Sequence, residues 1–199
     1  AEKTLFGNDF NFNSGDYYQD IEKLWLMGSM RDYYASLQMY KKAEYFSNMS
    51  LKFIGENYGK NTEEFYDELM QLSHLYLEGR EPKKALDIIN KYGVLDKQIS
   101  VSAPDTQAFL ALNAAEAKFK LGIDPENDFA TAQRKFEELE NDWGLGQLEI
   151  IRSEFFLDAG ECLKAQTALN NVKKYISTED IGADSQLEKR NIINNIKLN

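Results

Sequence analysis

The chain offers few side chains for covalent or metal chemistry. Its one histidine, His74, and its one cysteine, Cys162, stand 88 residues apart in a chain of 199. A single imidazole cannot build a multi-histidine metal site. Cys162 falls at the start of a predicted helix, where the dipole can lower a thiol pKa. The simpler reading is a half-buried small residue. "GLG" at 144–146 lacks the rest of a dinucleotide fingerprint and follows no strand. The acidic pairs Glu63-Glu64 and Glu137-Glu138 read as solvated helix faces. "NMS" at 48–50 matches a glycosylation pattern but lies inside a predicted helix. No constellation of nucleophile, base and electrophile assembles from these residues, so the expectation is a non-enzyme without cofactor or metal.

Composition points the same way. The chain is 43% hydrophobic and 13% aromatic, enough to bury a core. A net charge of −10 repels phosphate backbones and anionic membrane surfaces. The densest basic group is Lys189-Arg190, so no basic patch offsets that charge. The expectation is therefore no nucleic acid and no direct membrane binding. One cysteine allows no internal disulfide but does not fix the compartment. No apolar run approaches the roughly 20 residues of a membrane span. The start at Ala1 rather than Met points to a removed leader or an excised segment, so either a cytoplasmic or an exported soluble protein fits.

Apolar spacing sets the elements that must carry any site. Phe65, Leu69, Leu72 and Tyr76 step by four, three and four, and Ala165, Leu169, Val172 and Ile176 keep the same rule. Sustained alternation is absent. The spacing predicts nine helices near 16–33, 37–57, 62–79, 82–92, 105–121, 126–141, 146–159, 161–176 and 184–197. Pro82, Pro104 and Pro125 each suit a first helical turn. "DPEN" at 124–127 reads as a capping Asp followed by Pro, and Asn61 with Glu64 and Ser185 with Glu188 read as capping boxes. Residues 1–15 read as an extended segment whose Phe6, Phe10 and Phe12 can pack on the first helix, and 93–103 and 177–183 read as loops. Residues 184–199 read as a C-terminal capping helix with Leu187, Ile192, Ile193 and Ile196 on one side.

A repeat runs through these helices. Ala43, Ala85, Ala130 and Ala165, each in a second helix, are 42, 45 and 35 residues apart. "LSHLYLEGREPKKAL", "AAEAKFKLGIDPENDFATA" and "SEFFLDAGECLKAQTAL" share one plan. A small residue (Ser73, Ala115, Ser153) is followed by an aromatic (Tyr76, Phe119, Phe156), a turn glycine (Gly79, Gly122, Gly160) and an alanine. Small residues let paired helices approach, and the glycine ends the first of them. The pattern resembles the tetratricopeptide-repeat family over about residues 20–176, and Ala43–Leu86 is similar to the longer repeats of kinesin light chains. Gly79 stands one residue early, "IDPEN" inserts residues before Ala130, and 20–58 holds no turn glycine.

The resemblance implies an all-α, right-handed superhelical array of antiparallel helix pairs, an α-solenoid of about four pairs over 16–176. It implies a concave groove lined by first helices. Carried onto this chain, the groove positions are Met70, His74 and Leu77, then Phe109, Leu112, Glu116 and Phe119, then Ile150, Glu154 and Leu157. Each set shares a helix face, and each apolar member reads either as a ligand contact or as core between repeats. The family's carboxylate clamp, which uses Lys, Asn and Arg there, is absent. Such a groove suits a peptide or protein segment with apolar and basic side chains. The expectation is a protein-interaction scaffold, with a sensing or regulatory segment of a larger signalling protein as the alternative. Self-association through the same groove fits as well.

Overall fold

The helical spacing carries over into the structure, with each helix end within four residues of its expected place. The computed structural model describes residues 17–92, 104–176 and 185–198. They form α1 (Tyr17–Ser36), α2 (Tyr40–Asn57), α3 (Glu63–Glu78), α4 (Pro82–Tyr92), α5 (Pro104–Lys120), α6 (Glu126–Glu138), α7 (Asp142–Asp158), α8 (Cys162–Tyr175) and α9 (Ser185–Leu198). No strand occurs among the described residues. The expectations for 1–15 with its three phenylalanines, for the loops 93–103 and 177–183, and for the Ser185–Glu188 box lie outside them.

The chain divides into two compact units, Ala1–Gly79 and Arg80–Asn199. The division lies inside the span read from the sequence as one array. In the first unit α2 packs against both α1 and α3. Ala43, Phe65, Leu69 and Leu72 are buried there. One polar link joins all three helices. Arg31 of α1 donates from Nη1 to both oxygens of Glu68 on α3 at 3.0 Å, and Ser47 of α2 donates to Glu68 Oε1 at 2.6 Å.

In the second unit neighbouring helices pair in order, α4 with α5, α5 with α6, α6 with α7 and α7 with α8. Helix α5 also touches α7, so helices two apart in the chain lie side by side. Their core holds Ala108, Leu112, Ala115, Phe129, Phe136 and Leu148. Helix α9 lies on α7 and α8.

The turns explain part of the repeat. Gly122 and Gly160 have φ of 71° and 74°, the left-handed region that only glycine enters without cost. After each, the next N–H returns to a carbonyl five residues back: Ile123 to Lys118 at 2.9 Å, Glu161 to Phe156 at 2.8 Å. Glu140 (φ 52°) and, in the first unit, Gln38 (φ 58°) do the same job without a glycine. Asn141 N–H reaches the Phe136 carbonyl at 2.9 Å and Met39 N–H the Tyr34 carbonyl at 2.8 Å. The early Gly79 is also explained: its own φ is −71°, and Arg80 takes the left-handed place at 58°.

Three local expectations are corrected. Thr62, not Asn61, caps α3, accepting from Phe65 N–H at 3.4 Å, because the helix starts at Glu63. Helix α7 begins at Asp142 rather than 146, because the Asn141 side chain accepts the Gly144 N–H at 2.8 Å. Ala130 is exposed: α6 starts at Glu126, so Phe129 takes the fourth position held by Ala43, Ala85 and Ala165, and Ala132 supplies the buried small residue.

Candidate functional site: one arginine between two buried carboxylates

Glu116 stands near the end of α5 and Glu154 in the second half of α7. Because α5 and α7 lie side by side, both carboxylates reach one place. It is filled by Arg190 of α9. Arg190 donates from Nε to Glu154 Oε1 and from Nη2 to Glu154 Oε2, both at 2.7 Å. Its Nη2 lies 3.0 Å from Glu116 Oε1, and its Nη1 donates to Glu116 Oε2 at 3.4 Å. The Glu116, Glu154 and Arg190 side chains are 5%, 17% and 24% exposed. Lys120, one turn on from Glu116, lies 3.3 Å from its Oε1.

Burial alone would lower the Arg190 pKa. The charges and hydrogen bonds of Glu116 and Glu154 outweigh it and hold the guanidinium above its ordinary value. A planar fork facing a carboxylate is the geometry for which arginine, not lysine, is suited. One turn further along α9, Asn194 is buried. It donates to Ser153 Oγ at 2.8 Å and to the Ile150 carbonyl at 3.3 Å. Ser153 in turn donates to that same carbonyl at 2.7 Å.

At the described positions, then, the inward face of α9 carries Arg190 and Asn194. Ile192 and Ile193, expected on the packing side, are each 49% exposed. The physical reason is phase: residues 190 and 194 are four apart on one face, and 192 and 193 fall on the other. Leu187 and Ile196 lie outside the described side chains.

The other sequence-predicted site residues distribute as follows. Leu112 is 1% exposed within the core, and Ile150 is fully buried against Val172 and Ile176. Phe109 is partly buried with its ring edge-on to Phe136 at 4.9 Å. Phe119 packs edge-on against Phe155 at 5.7 Å. Leu157 is half-buried. In the first unit Leu77 is buried, Met70 half-buried, and His74 exposed with its Nε2 3.6 Å from Glu78 Oε1. Cys162, read as half-buried, is exposed because it opens α8 beyond the core-facing Ala165.

A second concavity of about 500 Å³ opens between α6, α7 and α8, lined by Glu126, Glu149, Arg152, Phe156, Lys164 and Asn171 among others. Arg152 donates to Gln133 at 3.1 Å and to Glu149 at 3.2 Å. Burial pushes the Glu149 carboxyl above its ordinary range, against the pull of Arg152. The lining charges are of both signs; Arg152 pairs with Glu149, and Lys164 with Glu161 outside the lining.

Sequence reasoning placed Glu116 and Glu154 on one face but missed Arg190 and Asn194. The available signal was electrostatic. Two carboxylates on adjoining helices need a cation, and Lys189-Arg190 is the densest basic group in the chain.

No protein-family model, curated protein or solved structure matches the chain. Among the described residues no helix is long and apolar enough to cross a membrane, and no cluster of three His, Cys, Asp or Glu side chains could hold a metal.

Proposed function

We propose that this chain is a protein-interaction module, built on tetratricopeptide-like helix pairs arranged as a superhelical array. It binds a peptide or protein segment on the face formed by α5 and α7, the concave side of such an array. The observation that carries this reading is the convergence of Glu116 and Glu154, from two first helices, on a single guanidinium. A surface that gathers two largely buried carboxylates selects positive charge, and the depth of burial makes that selection costly to violate. Paired helices, left-handed turn residues and the contact between helices two apart support the array. The absence of a catalytic or metal-binding constellation in the sequence leaves binding as the activity to test.

The test uses the full chain carrying Arg190→Ala, which vacates the carboxylates. A fluorescent helical peptide with an arginine on its inward face is titrated by anisotropy, beside the same peptide with that arginine replaced by glutamine. The arginine peptide is expected to bind about tenfold or more tightly than its glutamine counterpart. Equal affinities, or no binding of either, would remove this face as a recognition surface.

A further inference from the structure

Helix α9 is a poor helix and a polar fit. Its sequence, SQLEKRNIINNIKL, holds three asparagines and three isoleucines in 14 residues. Both types rank low in helix propensity, asparagine because its side chain competes for backbone hydrogen bonds. An isolated segment of this length is at best marginally helical, so its order depends on what it docks against. Its described docking contacts include an arginine fork, an amide and Lys197 at 4.0 Å from Asp158, and its Ile192 and Ile193 remain half in water. A largely buried ion pair of this kind roughly breaks even against well-packed apolar groups of the same shape. The covalent tether raises the effective concentration of α9 at the site.

These features describe an internal ligand more than a structural cap. A solenoid's end cap turns apolar residues inward and polar ones outward; at the described positions α9 turns Arg190 and Asn194 inward beside half-buried Leu198, and leaves Ile192 and Ile193 exposed with Asn195 and Lys197. The surface beneath it also has the parts of a recognition site. Two carboxylates fix a guanidinium, and one turn away the Ser153 hydroxyl and Ile150 carbonyl accept an amide.

We propose that α9 occupies, in cis, a docking surface for a protein partner that presents a helix with Arg and Asn four residues apart, and that the partner binds by displacing α9. This rests on the interaction-module reading above and adds the chemistry of the partner and a self-occupied resting state. Displacement is expected to melt α9, because a helix of this length and composition is marginal when undocked. A partner helix with better propensity and the same two anchors outcompetes it despite the tether. Affinity for such a partner is reduced by the fraction of chains whose surface is vacant.

The probe is a synthetic peptide of residues 185–199, SQLEKRNIINNIKLN, supplied in trans with a fluorophore. It is titrated against the wild-type chain, Arg190→Ala/Asn194→Ala and Arg190→Lys. The double variant is expected to bind about tenfold or more tightly than wild type, with Arg190→Lys between them, since lysine keeps the charge but loses the fork. In the wild-type chain, saturating peptide should speed amide exchange in 186–198 and leave α5 and α7 protected. That arm needs no variant, so a folding defect in the double variant does not spare the proposal.

Binding to the double variant, with equal affinity for wild type and unchanged exchange in α9, would overturn self-occupation while the module reading stands. No binding to any of the three folded proteins overturns both. If the double variant instead forms a dimer by analytical ultracentrifugation and ignores the peptide, the surface serves a second copy and the partner proposal is wrong.

Discussion

Arg190 and Glu154, 36 residues apart in the chain, meet through two parallel hydrogen bonds of 2.7 Å each. The same guanidinium lies 3.0 Å from Glu116, so three charges share a site largely closed to water. Removing Arg190 from such a site strips both carboxylates of their shared fork, although Lys120 stays 3.3 Å from Glu116.

Arg190→Ala should therefore destabilise the docking of α9 by about 3–5 kcal/mol, and Arg190→Lys by less, since it keeps the charge. Hydrogen exchange over 186–198 is the direct readout. Unchanged protection in Arg190→Ala would mean that apolar contacts hold the helix without the ion pair.

Leu112 was the natural residue to mutate in a groove, but it lies in the core at 1% exposure. Leu112→Ala should cost about 2–5 kcal/mol, the range for a leucine deletion that leaves a cavity. Leu112→Glu should abolish cooperative unfolding of the second unit altogether. Leu163, 87% exposed, is the control: Leu163→Ser should stay within about 0.5 kcal/mol of wild type. Urea melts followed by circular dichroism compare all three.

Gly144 and Gly146 both sit in α7, yet their replacement should differ. A Cβ on Gly144 would come within 2.3 Å of the Phe136 ring, which is rigid and wholly buried. A Cβ on Gly146 would come within 2.4 Å of Cδ1 and Cγ1 of Ile176, aliphatic atoms that rotation about χ1 moves more readily than a ring. Overpacking of about 1–3 kcal/mol is expected for Gly144→Ala, offset in part by about 1 kcal/mol of helix propensity. Gly146→Ala should cost less. The reverse order of thermal midpoints would mean that α6 yields more easily than the end of α8.

Turn chemistry gives an opposite pair of outcomes. Glu140 holds φ of 52° with a side chain, and Gly160 holds 74° without one. Glu140→Gly should gain up to about 1 kcal/mol and Gly160→Ala lose about 1–2 kcal/mol. Denaturant midpoints for the two single variants decide it; a gain from Gly160→Ala would refute the strain argument.

Glu149 supplies a pH test. Burial raises its folded pKa above the ordinary 4.5, against Arg152, Asn171 and Lys174. Between the unfolded and folded values the folded state binds more protons. Its contribution to stability is therefore greatest below about 4.5 and is lost as pH rises through the raised value. Glu149→Gln removes that titration. The variant should gain on wild type as pH rises from about 4 to about 7, read from urea midpoints at each pH. A wild type that gains instead would mean that Arg152 over-compensates the burial.

The helices were legible because each follows from local information: apolar steps of three and four, prolines in first turns, and residues free to end a helix. Even the missing turn glycines have a local answer, since Gln38, Arg80 and Glu140 take the left-handed place at some cost. Helix geometry fixed the face of each glutamate within its own helix, and only the tetratricopeptide resemblance put Glu116 and Glu154 in one groove.

What the sequence could not decide is what that face meets. Arg190 lies 74 residues from Glu116, and no periodicity links them. Reading α9 by hydrophobicity turned Ile192 and Ile193 inward, whereas the two carboxylates draw in Arg190 and the Ser153 hydroxyl and Ile150 carbonyl draw in Asn194. The apolar groove positions Leu112 and Ile150 were likewise undecided, because a helix wheel shows which side chains share a stripe but not whether water or another helix lies over it. Pairing between distant segments is set by the packing of all helices at once, and only the tertiary structure contains it.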